Sequence, residues 1–346
     1  MAWFKKKKNS YLGIDIGTSA IKIVELEKDE GRYSLKNYGI YPLEAYLKSL
    51  NAQASLDVEK IANEEIAEMI GVLIKKANIG NRESFFSIPV YSSFSTVMDF
   101  PEISEKEIAA AVPLEAKKYV PIPIDEVILD WAIVSRLGKT SGPQVLLVAV
   151  PKEIINNYSQ IARISGLKLN SLEAETFSLS RVLVGNDKSG VVLVDTGARS
   201  SNISIVDGGD IRITHNLEMG GLKLTVSISE QKKISQMEAE NFKKGAMLDQ
   251  DLIIKNVVNV FLDSIANRVK KVVSDYENKY ERKLEKCILT GGGMQIPGTV
   301  EYFSKKLNIE TSLGSPFARI VCPPELGPIM PELSSVLAVA VGAAMR

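Results

Sequence analysis

Two aspartates, Asp15 and Asp195, each stand near the end of an apolar strand and open a turn rich in Gly, Thr and Ser. A carboxylate in that position suits the hydration shell of Mg²⁺, which keeps several waters and bridges phosphate oxygens. Around Asp15 the chain runs Tyr11 to Ile16, turns through Gly17, Thr18 and Ser19, and returns along Ala20 to Leu26, a strand that carries Lys22. Around Asp195 the strand Val191 to Val194 meets Asp195-Thr-Gly197, then Ser200 and Ser201, then a second strand from Asn202 to Val206. Such turns aim backbone N–H groups and hydroxyls into a concave anion site. One Asp-x-Gly alone is a turn; the pair, each following a buried strand, reads as two hairpins clamping one polyphosphate. A third element, Ile288 to Met294, feeds an apolar strand into Gly291, Gly292 and Gly293. Three glycines remove every Cβ, so a flat ring or a sugar-phosphate can lie against the backbone.

Composition excludes several other chemistries. There is no G-x-x-x-x-G-K-[ST] run and no G-x-G-x-x-G after a strand, so P-loop and dinucleotide-binding readings fall away. One histidine, His215, leaves no Ser/His/Asp arrangement, and with only Cys287 and Cys322 it offers too few soft ligands for structural zinc. Lys+Arg and Asp+Glu both number 42, so no global basic field is available for nucleic acid. No apolar signal core follows the basic start, and the apolar run Val336 to Met345 is expected to be a buried terminal helix. The segment Trp3 to Lys8 suits either an anionic membrane surface or a solvated tail.

The elements that must position these residues follow from periodicity. At 346 residues and 45% hydrophobic content the chain holds two to three domains. An amphipathic helix is expected over 57–77, with Val58, Ile61, Met69, Ile70 and Leu73 on one face. The block 84–166 reads as an inserted small subdomain: strands near 85–88, 94–100, 127–134 and 145–150, a capping box Ser104…Glu107, and Pro113 expected to kink or shorten the helix that follows. A second capping box, Ser235…Glu238, precedes an apolar stripe from Ile254 to Tyr276 at helical spacing, which suits a core-facing helix better than a coiled-coil seam. The fold class is α/β, with two similar halves around a nucleotide cleft. The first half spans 1–83, completed by about 167–190 and 331–346; the second spans 191–216 and 285–330, with a helical subdomain over 217–284.

The order of Asp15 hairpin, Asp195 hairpin and Gly291 triplet resembles the two phosphate motifs and the adenosine motif of the actin-like ATPase superfamily, which includes sugar kinases, MreB and FtsA. Within it, the Lys-rich start before Gly13 to Gly17, the segment Glu115 to Pro121, Gly220-Gly221-x-x-x-Thr225 and Ala239-Glu240-x-x-Lys243 are similar to the PilM family of type IV pilus assembly proteins across nearly the full length. The resemblance implies ATP and Mg²⁺ as ligands. Gly17, Thr18, Ser19, Lys22, Asp195, Gly197, Ser200, Ser201, Gly220, Gly221, Glu240, Lys243 and the triplet would contact the nucleotide, with Asp15 and Asp195 holding the metal through water. Glu173 or Glu175 would orient the attacking water. Serines stand in the second phosphate turn where many relatives have threonine, so hydrolysis is expected to be slow. The chain ends at Arg346 without the amphipathic tail of FtsA and is expected to reach the membrane through another chain. The implied partner is a PilN-like single-pass inner-membrane protein, whose amino-terminal peptide would meet Glu115, Lys118, Tyr119 and Pro121 in a groove between the first subdomain and the inserted block. Other pilus platform or motor components are further partners. The implied location is the cytoplasm, at the inner face of the inner membrane, with peripheral membrane association. Two alternatives remain: a small-molecule kinase of the same superfamily, and a filament-forming cytoskeletal or cell-division protein.

Overall fold

Leu12, Ile14 and Ile16 project to one side of the first strand and Gly13 and Asp15 to the other, and all five are buried. A strand covered on both faces belongs in the middle of a sheet, and the computed structural model puts it there. Residues 9–43, 61–138, 142–244 and 251–346 are described; Trp3 to Lys8 and Val58 lie outside them. The chain forms two units, one of Met1–Pro89, Glu153–Leu183 and Ser315–Arg346, the other of Val90–Lys152 and Val184–Gly314.

Following the chain, unit 1 opens with β1 (Asn9–Ile16), β2 (Ala20–Asp29), β3 (Arg32–Pro42), α1 (Asn63–Lys76) and β4 (Glu83–Ile88). Unit 2 begins with β5 (Phe94–Asp99), α2 (Glu105–Ala116), β6 (Val127–Val134) and β7 (Gln144–Pro151). α3 (Lys152–Ile164), β8 (Lys168–Ala174) and α4 (Glu175–Leu179) lead back through unit 1. Unit 2 resumes with β9 (Val191–Thr196), β10 (Ser201–Asp207), β11 (Asp210–Leu217), α5 (Gly221–Lys232), α6 (Gln236–Lys244), α7 (Leu252–Tyr280), β12 (Lys286–Thr290), α8 (Thr299–Leu307) and β13 (Glu310–Leu313). β14 (Ile320–Val321) and α9 (Met330–Ala344) complete unit 1.

The two main sheets share one topology. Unit 1 is ordered β14-β3-β2-β1-β4-β8 and unit 2 β11-β10-β9-β12-β13. In each, three antiparallel strands continue into two parallel ones. The expected hairpins are therefore meanders, each completed by a third strand; β3 escapes the pattern because its sequence mixes polar and aromatic residues. β4 pairs with β1, so the strand read at 85–88 belongs to the sheet of unit 1. The inserted block is narrower than 84–166: its own sheet, ordered β5-β7-β6, runs from Phe94 to Pro151. Residues from Ser315 onward join unit 1, where β14 pairs with β3.

Both capping boxes form, with the Glu107 and Glu238 carboxylates accepting from the Ser104 and Ser235 N–H groups. Pro113 does not end α2, which continues to Ala116. α1 begins at Asn63, six residues later than its apolar pattern suggests. Asp251 caps α7 through the N–H groups of Ile253 and Ile254, and Ile254, Val258, Phe261, Ile265, Val269, Val272 and Tyr276 all enter the core of unit 2. Pro324–Ala344, counted with the short turn that precedes α9, is long and apolar enough to cross a membrane. Leu333, Leu337, Ala340, Val341 and Ala344 nevertheless sit in the core of unit 1, against Val24, Leu26 and Phe317.

α9 reaches β1 at main-chain distance. A Cβ on Gly13 would overlap the Ala340 carbonyl oxygen and lie 2.7 Å from the Ala344 nitrogen, and one on Gly342 would overlap the Ser178 carbonyl. Neither neighbour is a flexible side-chain tip, so Gly13→Ala is expected to destabilise unit 1 by about 3 kcal/mol, the upper range of overpacking. Urea unfolding checks this, and a midpoint equal to wild type would show that the helix can shift at no cost.

Candidate functional site

The second hairpin is a rigid object before any ligand arrives. The Gly197 N–H donates to the Ser200 carbonyl at 2.9 Å, and the turn is tied to α5 by Gly221 N–H to the Gly197 carbonyl (2.9 Å) and Leu222 N–H to the Ala198 carbonyl (2.8 Å). The start of the helix is thus satisfied by the hairpin itself. Ser201, expected to offer its hydroxyl to phosphate, is buried at the head of β10; it donates to the Met219 carbonyl at 2.6 Å and lies 3.0 Å from Thr196 Oγ1. Its work is to hold the turn, which leaves Ser200, half-buried on the turn itself, as the expected serine there. Asp195 stands in register with Asn202 on β10 and Thr290 on β12.

The glycine triplet packs directly onto this turn. Gly291 has φ +85°, and a Cβ there would sit 2.5 Å from Asp195 Oδ1 and closer still to the Thr196 carbonyl oxygen. A Cβ on Gly293 would overlap Thr196 Cγ2, and one on Gly221 would lie 3.4 Å from Gly293 Cα and 3.3 Å from Lys243 Nζ. Gly292, by contrast, faces open space. Three segments distant in sequence therefore meet backbone to backbone, as the glycines require. Beside them Lys243, buried, holds Glu240 Oε2 at 2.6 Å and Thr225 Oγ1 at 3.1 Å, and the Thr225 hydroxyl donates to the same carboxylate at 2.6 Å. Thr225 was legible only as part of the Gly220-Gly221-x-x-x-Thr225 spacing; its contacts explain that spacing, since one helical turn carries it under Gly221, whose carbonyl oxygen lies 3.0 Å from its Oγ1.

In unit 1 the first hairpin closes through Gly17 N–H to the Ala20 carbonyl at 3.1 Å, and Ser19 is held through its carbonyl by the Leu43 N–H. Lys22 Nζ lies 2.8 Å from Asp15 Oδ2, an ion pair with both side chains mostly buried. That ammonium already balances the carboxylate, so a cation at Asp15 would compete with it. The two water-orienting candidates also separate. Glu173 accepts from Ser178 Oγ (2.7 Å) and from both Nη atoms of Arg181 (2.8 and 2.7 Å), and it pairs with Arg346. Those four donors occupy both of its oxygens. Glu175 opens α4 and is half-buried.

The inserted block presents Tyr119 44% exposed beside Leu114 at 64%. Glu115 and Lys118 pair with one another at 2.8 Å, and the hydrogen bond to Glu115 raises the Lys118 pKa. Pro121 is exposed on the same stretch. Burial pushes the Cys287 thiol up to about 12, which removes it as a nucleophile. Among the described residues no three His, Cys, Asp or Glu side chains converge as a metal cage. The donor set of unit 2 is compatible with a hydrated cation: the Asp195 carboxylate at a strand end and the buried Thr290 Oγ1, which has no hydrogen-bond partner, beside a turn against which Gly291 and Gly293 pack too closely for any Cβ.

Known proteins share this fold. FtsA of Enterococcus faecalis is 21% identical over 336 residues, 85% of this chain and 76% of that protein, and FtsA of Streptococcus pneumoniae is 21% identical over 88% and 75%. The PilM-PilN type IV pilus biogenesis complex superposes with a TM-score of 0.81 at 22% identity, over 97% of this chain and 98% of that one. MreB5 of Spiroplasma citri bound to ADP gives 0.54 at 13% identity, over 96% and 94%. The fold is that of the actin-like ATPases. The family model for type IV pilus assembly protein PilM matches residues 13–346, and the chain belongs to that family.

Proposed function

We propose that this chain binds ATP with Mg²⁺ and uses the bound state to present a docking surface to the amino-terminal peptide of a PilN-like membrane protein, at the cytoplasmic face of a pilus platform. The observation that carries the nucleotide half is the cradle of unit 2, where Gly221, Gly291 and Gly293 bring backbone against the Asp195 turn beside the Lys243–Glu240 pair. Lys243 and Glu240 supply a donor and an acceptor suited to ribose hydroxyls and a base edge, Gly292 leaves a bare platform for the ring, and Ser200 with the turn's backbone faces phosphate. The MreB5 structures bound to ADP and AMPPNP lend support, since they share the fold at TM-scores of 0.54 and 0.51. Asp15, Gly17, Thr18 and Lys22 remain the candidate phosphate group of unit 1; the ammonium of Lys22, rather than a metal at Asp15, is the natural anion ligand there.

Isothermal titration with ATP·Mg²⁺ is expected to show one site, and Asp195→Ala to weaken it by tenfold or more, because a lost charge-assisted contact costs about 1.5–3 kcal/mol. Unchanged affinity in that variant would remove the assignment. Bound Mg²⁺ would screen phosphate charge, Glu175 at the head of α4 is the carboxylate proposed to orient water, and the second phosphate turn carries serines. Turnover is therefore expected to lie far below the common enzyme median of about 10 per second. Glu175→Ala is expected to lower it with affinity kept, whereas Glu173→Ala is expected to lower the melting temperature, since it strands two guanidinium groups.

The partner half rests on the chain's family and on the PilM-PilN complex as a structural neighbour. Within the inserted block, β6 is an edge strand paired only with β7, and it carries Ile128 and Ile133 at 48% and 45% exposure. An extended peptide can add to such an edge while Tyr119 supplies an aromatic anchor. Fluorescence anisotropy with a labelled amino-terminal partner peptide is expected to show saturable binding that Tyr119→Ala weakens roughly fivefold or more, the cost of truncating an interface anchor. Binding indifferent to Tyr119→Ala and Glu115→Ala would move the site away from this stretch.

A further inference from the structure

Eight side-chain polar atoms in the described residues are buried without a hydrogen-bond partner, and two of them occupy the same place in the repeated topology. Thr290 on β12 is the lateral neighbour of Asp195 in the parallel β9–β12 pair; Ser87 on β4 is the lateral neighbour of Asp15 in the parallel β1–β4 pair. Both residues are 1% exposed, and neither hydroxyl has a partner. Lateral neighbours in a sheet project to the same face, so each unit sets a carboxylate and an unsatisfied hydroxyl side by side where its hairpin strand ends. A buried hydroxyl without a partner costs about 1–3 kcal/mol. A valine would fill the same volume and spare that cost.

We infer that Thr290 is a ligand-site residue: its hydroxyl joins the Asp195 carboxylate in holding the water shell of the divalent cation that accompanies the nucleotide phosphates. The geometry behind this lies within unit 2. Asp195 Oδ1 stands at the Gly291 backbone, 2.5 Å from where a Cβ of Gly291 would be, and Thr290 is the residue immediately before that glycine. The carboxylate thus leans toward the strand end that carries the hydroxyl. A hydrated cation needs acceptors for its water protons, and a threonine hydroxyl offers two lone pairs. Magnesium in particular keeps its waters, so a site of one carboxylate and one hydroxyl is adequate where a three-carboxylate cage is absent among the described residues. The equivalent Ser87 sits beside an aspartate that pairs with Lys22.

This inference rests on the nucleotide reading above, and its test separates the two. Full-length wild type, Thr290→Val and Thr290→Ser are compared by titration with ATP, once with Mg²⁺ and once with EDTA, and by thermal melting without ligand. Thr290→Val is expected to lose roughly three- to tenfold in affinity with Mg²⁺, the span of one net hydrogen bond, and to match wild type in EDTA. Thr290→Ser is expected to keep the wild-type affinity in both. Without ligand, Thr290→Val is expected to melt at or above the wild-type temperature, because the substitution removes an unsatisfied group and preserves volume. Wild type that fails to bind ATP at all overturns the nucleotide reading and this one with it. ATP binding by Thr290→Val that equals wild type in Mg²⁺, or that weakens equally in EDTA, overturns the cation role alone. A lower melting point of ligand-free Thr290→Val shows that the hydroxyl is satisfied within the protein and overturns the inference as well.

Discussion

Main chain laid against main chain is the constraint on which both units depend. In unit 2 the absent side chains of Gly221, Gly291 and Gly293 let the Asp195 turn, the head of α5 and the end of β12 occupy one small volume. In unit 1 Gly13 and Gly342 do the same for β1, α9 and the stretch around Ser178. Each glycine costs roughly 0.5–1 kcal/mol in conformational entropy relative to alanine in a regular element. That cost is offset by dense packing and by hydrogen bonds that close the turns. Asp195, Lys243 and Glu240 have fixed positions only because the backbone beneath them cannot move apart.

The same strand order serves two different electrostatic environments. In unit 1 the residue paired across the hairpin from Asp15 is Lys22, and the two form an ion pair. In unit 2 the residue at the equivalent position, across from Asp195, is Asn202, a neutral amide. The cross-strand neighbour of the aspartate is thus a cation in one unit and a neutral amide in the other. An ammonium beside a carboxylate favours an anion that can share it, whereas a carboxylate flanked by an amide and a hydroxyl favours a cation. The repeat thus supplies one geometry with two different cross-strand neighbours.

Much of this was legible in the residues. The Asp-x-Gly turns, the triple glycine and the helical stripe of α7 declare themselves through spacing, because a strand end, a Cβ-free turn and a core face each restrict residue type. What escaped is what spacing does not encode. Ser200 and Ser201 are indistinguishable in sequence, yet strand pairing buries Ser201 and commits its hydroxyl to Met219. Glu173 and Glu175 look alike, and only the arrival of Arg181 and Arg346 from other parts of the chain separates them. β3 lacks a clean alternation, and the extent of the inserted block depended on knowing that β4 pairs with β1. Thr290 gives no signal at all, since a threonine at the end of an apolar strand is ordinary until its register with Asp195 is known.

Buried charge joins the inserted block to the rest of unit 2. Arg212 on β11 is 2% exposed; it donates to the Asp207 carbonyl and Asp210, and to Ser135 and Gln144 of the inserted block. Gln144 in turn receives the Leu137 N–H and donates to Asp99. On the other side, the fully buried Asp207 receives Tyr276 of α7 at 2.9 Å and Arg282 at 2.8 Å. Burial and then Asp207 raise the Tyr276 pKa, so its phenol stays a donor at every physiological pH. A network of this kind adds less stability than its number of bonds suggests, because two charges leave water to form it. Its contribution is register: each group has one arrangement of partners, and a slipped sheet would bury an unpaired guanidinium. The edge strand β6 and the glycine turns around Asp195 therefore belong to one unit whose internal geometry is set by polar contacts with a single solution.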